Sequence, residues 1–417
     1  MEKKKFDLNF KLVLISKTIS VFGGNILGFA MILFLVDFTQ SAALLGMITA
    51  ISQIPMVIVT PFAGMIADRL NKKKLIVIFD IVTALSNFFF FWLLVTGSYT
   101  ILNITLLRMV KMSINTFAQT TFNAAVPRVV EKEQLVAANG ALQAIAAIGL
   151  IGGSVVGGIV FGLVDIQVIA FASGILFLIS SSISMIIKIP HTKREIVGGM
   201  VTTIKNDMRD SFKFLKNEKP IIFKLALVSA TITLLFPPIF NIGLPFIVGV
   251  IFEQQVTLSF GVAAVGMLAG GILAGTLTKY LGIKNFPKWV AAIGGTGVLL
   301  ALAFMPFIPN LFISFWLFNV TLAILLFIFA LSNSSFGAFM QREVPEHLLG
   351  KVNSLLGMIS LIAVPIGILM VGFFIETISL PFFFLGITTI TWVVAFICSR
   401  VLKEYFRRLE VRPDEQG

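Results

Sequence analysis

The stretch NGALQAIAAIGLIGGSVVGG, residues 139–158, is long enough to cross a bilayer, yet it contains six glycines. Glycine is the poorest helix former after proline, so its repeated use needs a reason. Small residues along one face of a membrane helix remove side chains and let a neighbouring helix approach closely. The stretch therefore predicts a transmembrane helix with a closely packed glycine face. Ordinary small-residue packing is the alternative, and a phosphate loop is excluded because no strand precedes the glycines.

The apolar composition extends along the whole chain. Of its 417 residues, 57% are hydrophobic and 12% are charged, whereas soluble domains carry roughly 25% charged residues. Apolar runs long enough for a membrane helix recur with short polar breaks. We therefore predict an all-α integral membrane protein with twelve transmembrane helices. The predicted spans are residues 12–36, 43–66, 75–96, 101–126, 134–162, 167–188, 221–250, 258–280, 288–306, 311–340, 352–375 and 381–402.

The distribution of basic residues predicts the topology. The net charge is +12, and Lys and Arg concentrate in the breaks on one side of the predicted membrane. The six breaks on the other side contain neither, but they carry Asp37, Asp165, Glu253 and Glu376. Because loops rich in Lys and Arg stay in the cytoplasm, we predict a plasma-membrane protein with both termini cytoplasmic. The positive surplus thus marks orientation, and we expect the lipid bilayer rather than nucleic acid as its partner.

A polar segment at residues 188–220 divides the chain into two halves. Within it, Ile204, Met208, Phe212 and Leu215 recur at helical spacing among basic residues. This pattern favours an amphipathic helix on the inner membrane surface over a solvated linker. The predicted domains are an N-terminal six-helix half at 1–188, a cytoplasmic linker at 189–220, a C-terminal six-helix half at 221–402 and a cytoplasmic tail at 403–417.

The two halves are related by an internal repeat. A shift of 214 residues places identical residues on one another, namely Arg128 on Arg342, Leu135 on Leu349, Asn139 on Asn353, Leu142 on Leu356 and Gly158 on Gly372. Two six-helix units in the same orientation are typical of secondary transporters, which hold their substrate near the middle of the membrane and rock one repeat against the other. The repeat therefore predicts a transporter with two pseudo-symmetric halves.

The loop GMIADRLNKKK, residues 64–74, resembles the major facilitator signature Gly-x-x-x-Asp-Arg-x-Gly-Arg-Arg. The matching residues are Gly64, Asp68, Arg69 and, by charge, Lys72 and Lys73. Asn71 replaces the second glycine, which is a mild departure because asparagine is among the few residues that tolerate a left-handed turn. The resemblance implies that Asp68 and Arg69 form a latch that closes the inner side. A basic stop signal for topology is the alternative.

Other segments resemble the macrolide-efflux type of drug exporter within this superfamily. The glycine stretch fits the exporter signature Gly-x(8)-Gly-x(3)-Gly-Pro-x(2)-Gly-Gly, with Ser154 where proline is expected, through Gly140, Gly149, Gly153, Gly157 and Gly158. Residues 123–143 and 341–367 are similar to the same group. The resemblance implies a gating role for these glycines and proton-coupled efflux of small amphiphilic antibacterial compounds. We expect the transporter to act as a monomer.

The fourth predicted span contains the residues from which we predict a substrate path. Arg108 and Lys111 lie inside an apolar run, where each charge costs a few kcal/mol on insertion scales. Lys111, Asn115, Gln119 and Asn123 recur every four residues and therefore share one helix face. In the alternative interpretation, Arg108 extends to the outer interface and the amides pair one helix with another.

Three residues on other helices complete the candidate site. Asn25 and Asn241 are expected to add polar contacts to the same cavity. Asp37, at the outer end of the first span, is the nearest carboxylate for proton coupling, and Lys111 is the other titratable candidate. Asp80 lies six residues after Lys74, so we expect it to form a structural ion pair with the basic inner loop rather than to transfer protons.

The sequence is compatible with two other functions, and it argues against an enzyme. A cavity that holds Arg108 and Lys111 also suits an exporter of an anionic or peptide-like metabolite. A membrane receptor that does not transport is the alternative from another class. We expect no enzyme, metal or cofactor, because His191 and His347 are isolated and the sequence contains neither a Cys/His cluster nor a nucleotide-binding loop.

Overall fold

The computed structural model describes residues 7–131, 134–190, 209, 212–213, 216, 219–253, 256–274, 277, 282–306, 308 and 310–411. Within these ranges the chain forms twelve long helices. They are α1 Leu8–Thr39, α2 Ala42–Arg69, α3 Lys72–Val95, α4 Ile101–Ala125, α5 Leu135–Leu163, α6 Ile166–Ile186, α7 Pro220–Ile251, α8 Val256–Ala274, α9 Phe286–Leu302, α10 Leu311–Glu343, α11 Glu346–Thr377 and α12 Leu380–Val411. Most of the predicted linker, 189–220, lies outside the described residues.

The helices confirm the predicted all-α membrane fold. In the described ranges, ten of them are long and apolar enough to cross a membrane by length and composition. The other two are α4, which carries Arg108 and Lys111, and α9, which is 17 residues long. Both occupy predicted spans. Helix α12 continues to Val411, beyond the predicted span end at residue 402, because its last turns contain the good helix formers Lys, Glu and Arg.

Several helices begin at a side-chain cap. Asp7 caps α1 by accepting a hydrogen bond from the Leu8 amide at 2.7 Å, and Thr100 caps α4 by accepting one from the Asn103 amide at 3.2 Å. Asn71 caps α3, since its Oδ1 accepts from the Lys74 amide at 3.2 Å. Its φ of −66° is not left-handed. Asn71 thus does not use the left-handed conformation that it tolerates, and its side chain satisfies an amide of the first helical turn.

The chain folds into two compact units. The first unit comprises Met1–Gln40, Met47–Val197 and Val256–Phe260, and the second comprises Ser41–Gly46, Gly198–Gln255 and Gly261–Gly417. In the first unit, α1 packs against α5 and α6, and α3 packs against α4 and α6. In the second, α7 packs against α11 and α12, and α9 packs against α10 and α12. The sequence repeat is thus also a repeat of helix packing.

Helix α7 contains two π-helical turns, at Ile239–Gly243 and Ile247–Ile251. They follow Pro237 and Pro238, which lack the N–H groups that a regular helix needs. The Asn241 side-chain amide donates to the Pro237 carbonyl oxygen at 2.9 Å. The side chain thereby satisfies a carbonyl that the wider turn leaves available. The predicted site residue Asn241 thus stabilises its own helix in this structure.

Candidate functional site

Helix α4 presents a polar face in the first unit. Asn115, Gln119 and Asn123 are exposed on it, and Lys111 is half-buried one turn before Asn115. Gln119 Nε2 donates to Asn123 Oδ1 at 3.4 Å. The same helix also buries Ile104, Leu107, Ile114 and Phe122. The amide groups therefore lie where a solute can reach them.

Arg108 and Lys111 lie near each other without an acidic partner. The two cations interact electrostatically, and the buried Nε of Arg108 has no hydrogen-bond partner. Neither side chain forms an ion pair within the described ranges. A half-buried cation without a counter-charge is costly. This arrangement leaves two positive groups available to an anion.

Lys17 of α1 joins the α4 face, although the sequence analysis did not select it. Its Nζ donates to Gln119 Oε1 at 2.8 Å. The same ammonium lies 4.6 Å from the centroid of the Phe122 ring, within the range of a cation–π interaction. Lys17 and Gln119 thus connect α1 to α4. A signal was present in the sequence, since Lys17 is a lysine inside the first apolar run.

A second polar group lies among α1, α3 and α6, and it is buried. Ser180 Oγ donates to Asp80 Oδ2 at 2.8 Å. The Ser16 hydroxyl lies 3.0 Å from that of Ser180 and 2.8 Å from that of Ser184. Asp80 is 8% exposed, and each of the three serines is exposed by 3% or less. The sequence signal was the serine-rich run SSSIS at 180–184 inside an apolar span.

Asp80 does not pair with the basic loop as the sequence analysis predicted. Within the described part of the chain, Lys74 forms no ion pair with Asp80. Six residues turn a helix by roughly 240°, so the two side chains leave α3 in different directions. Asp80 instead points to Ser180 of α6, and Lys17 is the charged group with which it interacts electrostatically. The predicted ion pair with the basic inner loop is wrong.

Two other candidate residues lie on α1, apart from the α4 face. Asn25 is half-buried and packs against Gly149 and Gly153 of α5. Asp37 is exposed near the C-terminal end of α1. The sequence analysis selected both residues, but it did not predict the contact of Asn25 with the glycines of α5.

Four of the five signature glycines lie at close helix contacts. Gly149 and Gly153 face Val21 and Asn25 of α1. A Cβ on Gly157 would lie 2.7 Å from the Ile26 carbonyl oxygen. Gly158 faces Thr257, whereas a Cβ on Gly140 would meet nothing within 4 Å. The glycines therefore allow α5 to approach the backbone of α1.

The loop signature after α2 is described in part. A Cβ on Gly64 would meet nothing within 4 Å. Arg69 is exposed at the C-terminus of α2. Lys72 is buried at the start of α3, and Lys73 lines a small apolar pocket with Phe122. The side chain of Asp68 lies outside the described residues.

Comparison with known proteins identifies the family. Residues 13–368 match the Major Facilitator Superfamily. Macrolide efflux protein A of Streptococcus pyogenes is 26% identical over 99% of this chain and 100% of the relative. The protein of the same name from Enterococcus faecalis is 26% identical over 79% of this chain and 99% of the relative.

Solved structures show the same fold. The nucleoside transporter NupG superposes with a TM-score of 0.74 at 15% identity, over 95% of this chain and 100% of that one. An inward-facing bacterial homologue of the iron transporter ferroportin has a TM-score of 0.70 at 17% identity, over 95% and 98% of the two chains. Because the family match spans most of the sequence, the chain belongs to the Major Facilitator Superfamily and is a membrane transporter rather than an enzyme.

Proposed function

We propose that this transporter exports amphiphilic, macrolide-like compounds across the plasma membrane in exchange for protons. The observation that carries the proposal is the similarity to Macrolide efflux protein A, which extends over 99% of this chain and the full length of the relative. Both termini lie in the cytoplasm in this proposal, as the distribution of Lys and Arg predicts. The transporter acts as a monomer.

The substrate path follows the exposed face of α4. Asn115, Gln119 and Asn123 provide amide donors and acceptors for the hydroxyl and carbonyl groups of a macrolide. Asn25 and Asn241 contribute further polar contacts when their present packing rearranges. The apolar part of the substrate is held by the aliphatic and aromatic side chains of the membrane helices.

Gating uses the loop signature and the glycine face. The gating residues lie between the end of α2 and the start of α3, where opening and closing change their contacts, and they are Gly64, Asp68, Arg69, Lys72 and Lys73. The glycines of α5 keep its contact with α1 free of side chains. Two helices without intervening side chains can slide or bend against each other during transport.

Transport into inverted membrane vesicles tests the proposal. Vesicles that contain the protein and have an acidic interior should accumulate a radiolabelled macrolide, and dissipation of the pH gradient should abolish the accumulation. Vesicles from cells without the protein are the control. Binding without accumulation would support the receptor alternative. Accumulation that ignores the gradient would exclude proton coupling.

The unpaired cations of α4 favour a second candidate, the export of an anionic metabolite. Arg108 and Lys111 form no ion pair with a described residue, so a carboxylate or phosphate on the substrate would supply the missing counter-charge. Competition distinguishes the candidates. An anionic amphiphile that blocks macrolide uptake more strongly than its neutral amide would favour the anionic substrate, and equal inhibition would contradict it.

A further inference from the structure

We propose that Asp80 is the proton-binding carboxylate of this transporter and that Lys17 transmits its change of charge to the amides of α4. The inference rests on the proposed proton-coupled export and names the group that performs the coupling. It replaces Asp37 and Lys111, which the sequence singled out for this role. Its support is the connection among α1, α3, α4 and α6 inside the first unit.

The side chains around Asp80 can form hydrogen bonds with both the ionised and the protonated form of its carboxyl group. An acidic side chain inside a membrane span is costly and is retained where it serves a function. Ser180 donates to Asp80 at 2.8 Å, and the Ser16 and Ser184 hydroxyls extend this contact. Serine hydroxyls can donate to a carboxylate or accept from a carboxylic acid after rotation. The same serines therefore serve both protonation states without a change in packing.

The charged groups around Asp80 are few. From α1, Lys17 interacts with it electrostatically. The contacts from α6 are the buried hydroxyls of Ser180 and its neighbours. On α4, Arg108 and Lys111 precede Gln119 by roughly two or more helical turns. Among the described residues, Lys17 is thus the ionic group that a change at Asp80 affects first.

Lys17 connects this carboxylate to the exposed face of α4. When Asp80 is ionised, its field attracts the Lys17 ammonium, which also donates to Gln119. A proton taken from water onto Asp80 forms a neutral carboxylic acid and removes that attraction. The Lys17 amino group is then free to shift its contact with Gln119, whose amide bonds to Asn123. Release of the proton restores the first arrangement, so proton binding alters the polar face proposed to contact the substrate.

The position of Asp37 distinguishes it from Asp80. Asp37 is exposed near the end of α1. Its side chain makes no hydrogen bond with another described residue that would connect it to α4. Asp80 is buried and has a side-chain route to that face.

Reconstituted vesicles test the inference with Asp80→Asn, a variant that keeps the shape of the side chain and removes its titration. We expect Asp80→Asn to lose macrolide accumulation driven by a pH gradient but to retain counterflow exchange without one. Asp165→Asn, at the exposed start of α6, is the control and should retain both. Coupled accumulation by Asp80→Asn would overturn the inference, as would a loss of coupling in Asp37→Asn alone.

A double variant and a second measurement guard against a folding defect. Lys17→Met/Asp80→Asn removes both charges together, which avoids leaving one of them buried without its partner. It should insert in the same amount as the wild type but remain uncoupled. The melting temperature of purified Asp80→Asn should lose part of the pH dependence seen in the wild type. A wild type that exchanges macrolide without any effect of pH would refute the proposed coupling itself. A coupled wild type with a coupled double variant would refute only the role of Asp80.

Discussion

The two units of this transporter share their helix packing but differ in where they place charge. A shift of 214 residues from the first unit to the second replaces each charged residue of the candidate site with an uncharged one. The pairs are Lys17 and Thr231, Asp80 and Gly294, Arg108 and Leu322, and Lys111 and Leu325. In the second unit these positions serve packing, since Leu322 and Leu325 are buried and Gly294 lies against Trp392.

Close helix contacts, in contrast, are repeated. Gly153 of the first unit corresponds to Gly367 of the second, and Gly367 faces Leu234 and Pro238 of α7 much as Gly153 faces Asn25 of α1.

Each unit also has an aromatic contact between its first helix and the region of its third, although the positions are only partly equivalent, since Val248 and not Phe252 lies 214 residues after Phe34. Phe34 of α1 contacts Phe90 of α3 at 6.2 Å between ring centroids, and Phe252 at the end of α7 contacts Phe304 beyond α9 at 5.4 Å. The comparison teaches that duplication kept the helix packing, whereas the charged residues of the candidate site lie in the first unit.

The largest expected effect concerns the repeated glycines. Gly153→Leu and Gly367→Leu should each abolish transport, because a leucine cannot fit where a neighbouring helix already lies. The alanine variants should be milder. Vesicle transport and the amount of inserted protein are the measurements. Gly162→Leu is the matched control, because a Cβ at Gly162 meets nothing within 4 Å. Normal transport by Gly153→Leu or Gly367→Leu would show that the two units do not share a requirement for this close helix contact.

The next effect concerns Lys111, which can be made to resemble its counterpart Leu325. Lys111→Leu removes an unpaired cation whose presence in a span costs about 2–3 kcal/mol on insertion scales, so the purified protein should melt at a higher temperature. Transport of an anionic substrate should fall, and Lys111→Arg should keep it because the positive charge remains. Melting curves and uptake rates measure the two effects. Unchanged uptake in both variants would remove Lys111 from the substrate path.

A smaller effect is expected at Ser180, whose counterpart in the second unit is Val394. Ser180→Ala removes a donor to the ionised Asp80 carboxylate, which therefore takes up a proton at higher pH. The pH of half-maximal driven transport should rise by about one unit or less, since such a hydrogen bond contributes about 1.5 kcal/mol. Ser182→Ala is the control, because Ser182 bonds only to its own helix at Leu178. A profile identical to the wild type would separate Ser180 from coupling.

The smallest effect is expected at an ion pair of the second unit. Lys219 Nζ lies 2.8 Å from Glu343 Oε2, and the two side chains are 36% and 25% exposed. Lys219→Ala should destabilise the protein by less than about 1 kcal/mol, as exposed pairs do. Transport should be unchanged. Lys17→Met, measured in the same assay, represents the loss of a charge in the first unit. If Lys219→Ala lost transport as severely as Lys17→Met, charge in the second unit would matter as much as charge in the first.

The sequence by itself determined the membrane class, the twelve helices, the repeat and the family. These features depend on the length and composition of each apolar run, on the shift between halves and on short motifs, all of which are local along the chain. The polar face of α4 was also predictable, because residues four apart lie on one side of any helix.

Only the tertiary structure decided which helices exchange polar contacts. Lys17 and Gln119 are 102 residues apart, and Asp80 and Ser180 are 100 apart. No local pattern states which helices become neighbours or how each rotates about its axis. The same dependence explains why Asp80 bonds to Ser180 of α6 and does not pair with the basic inner loop. A buried polar group is satisfied by whichever donor the packing brings near, and that choice belongs to the fold as a whole.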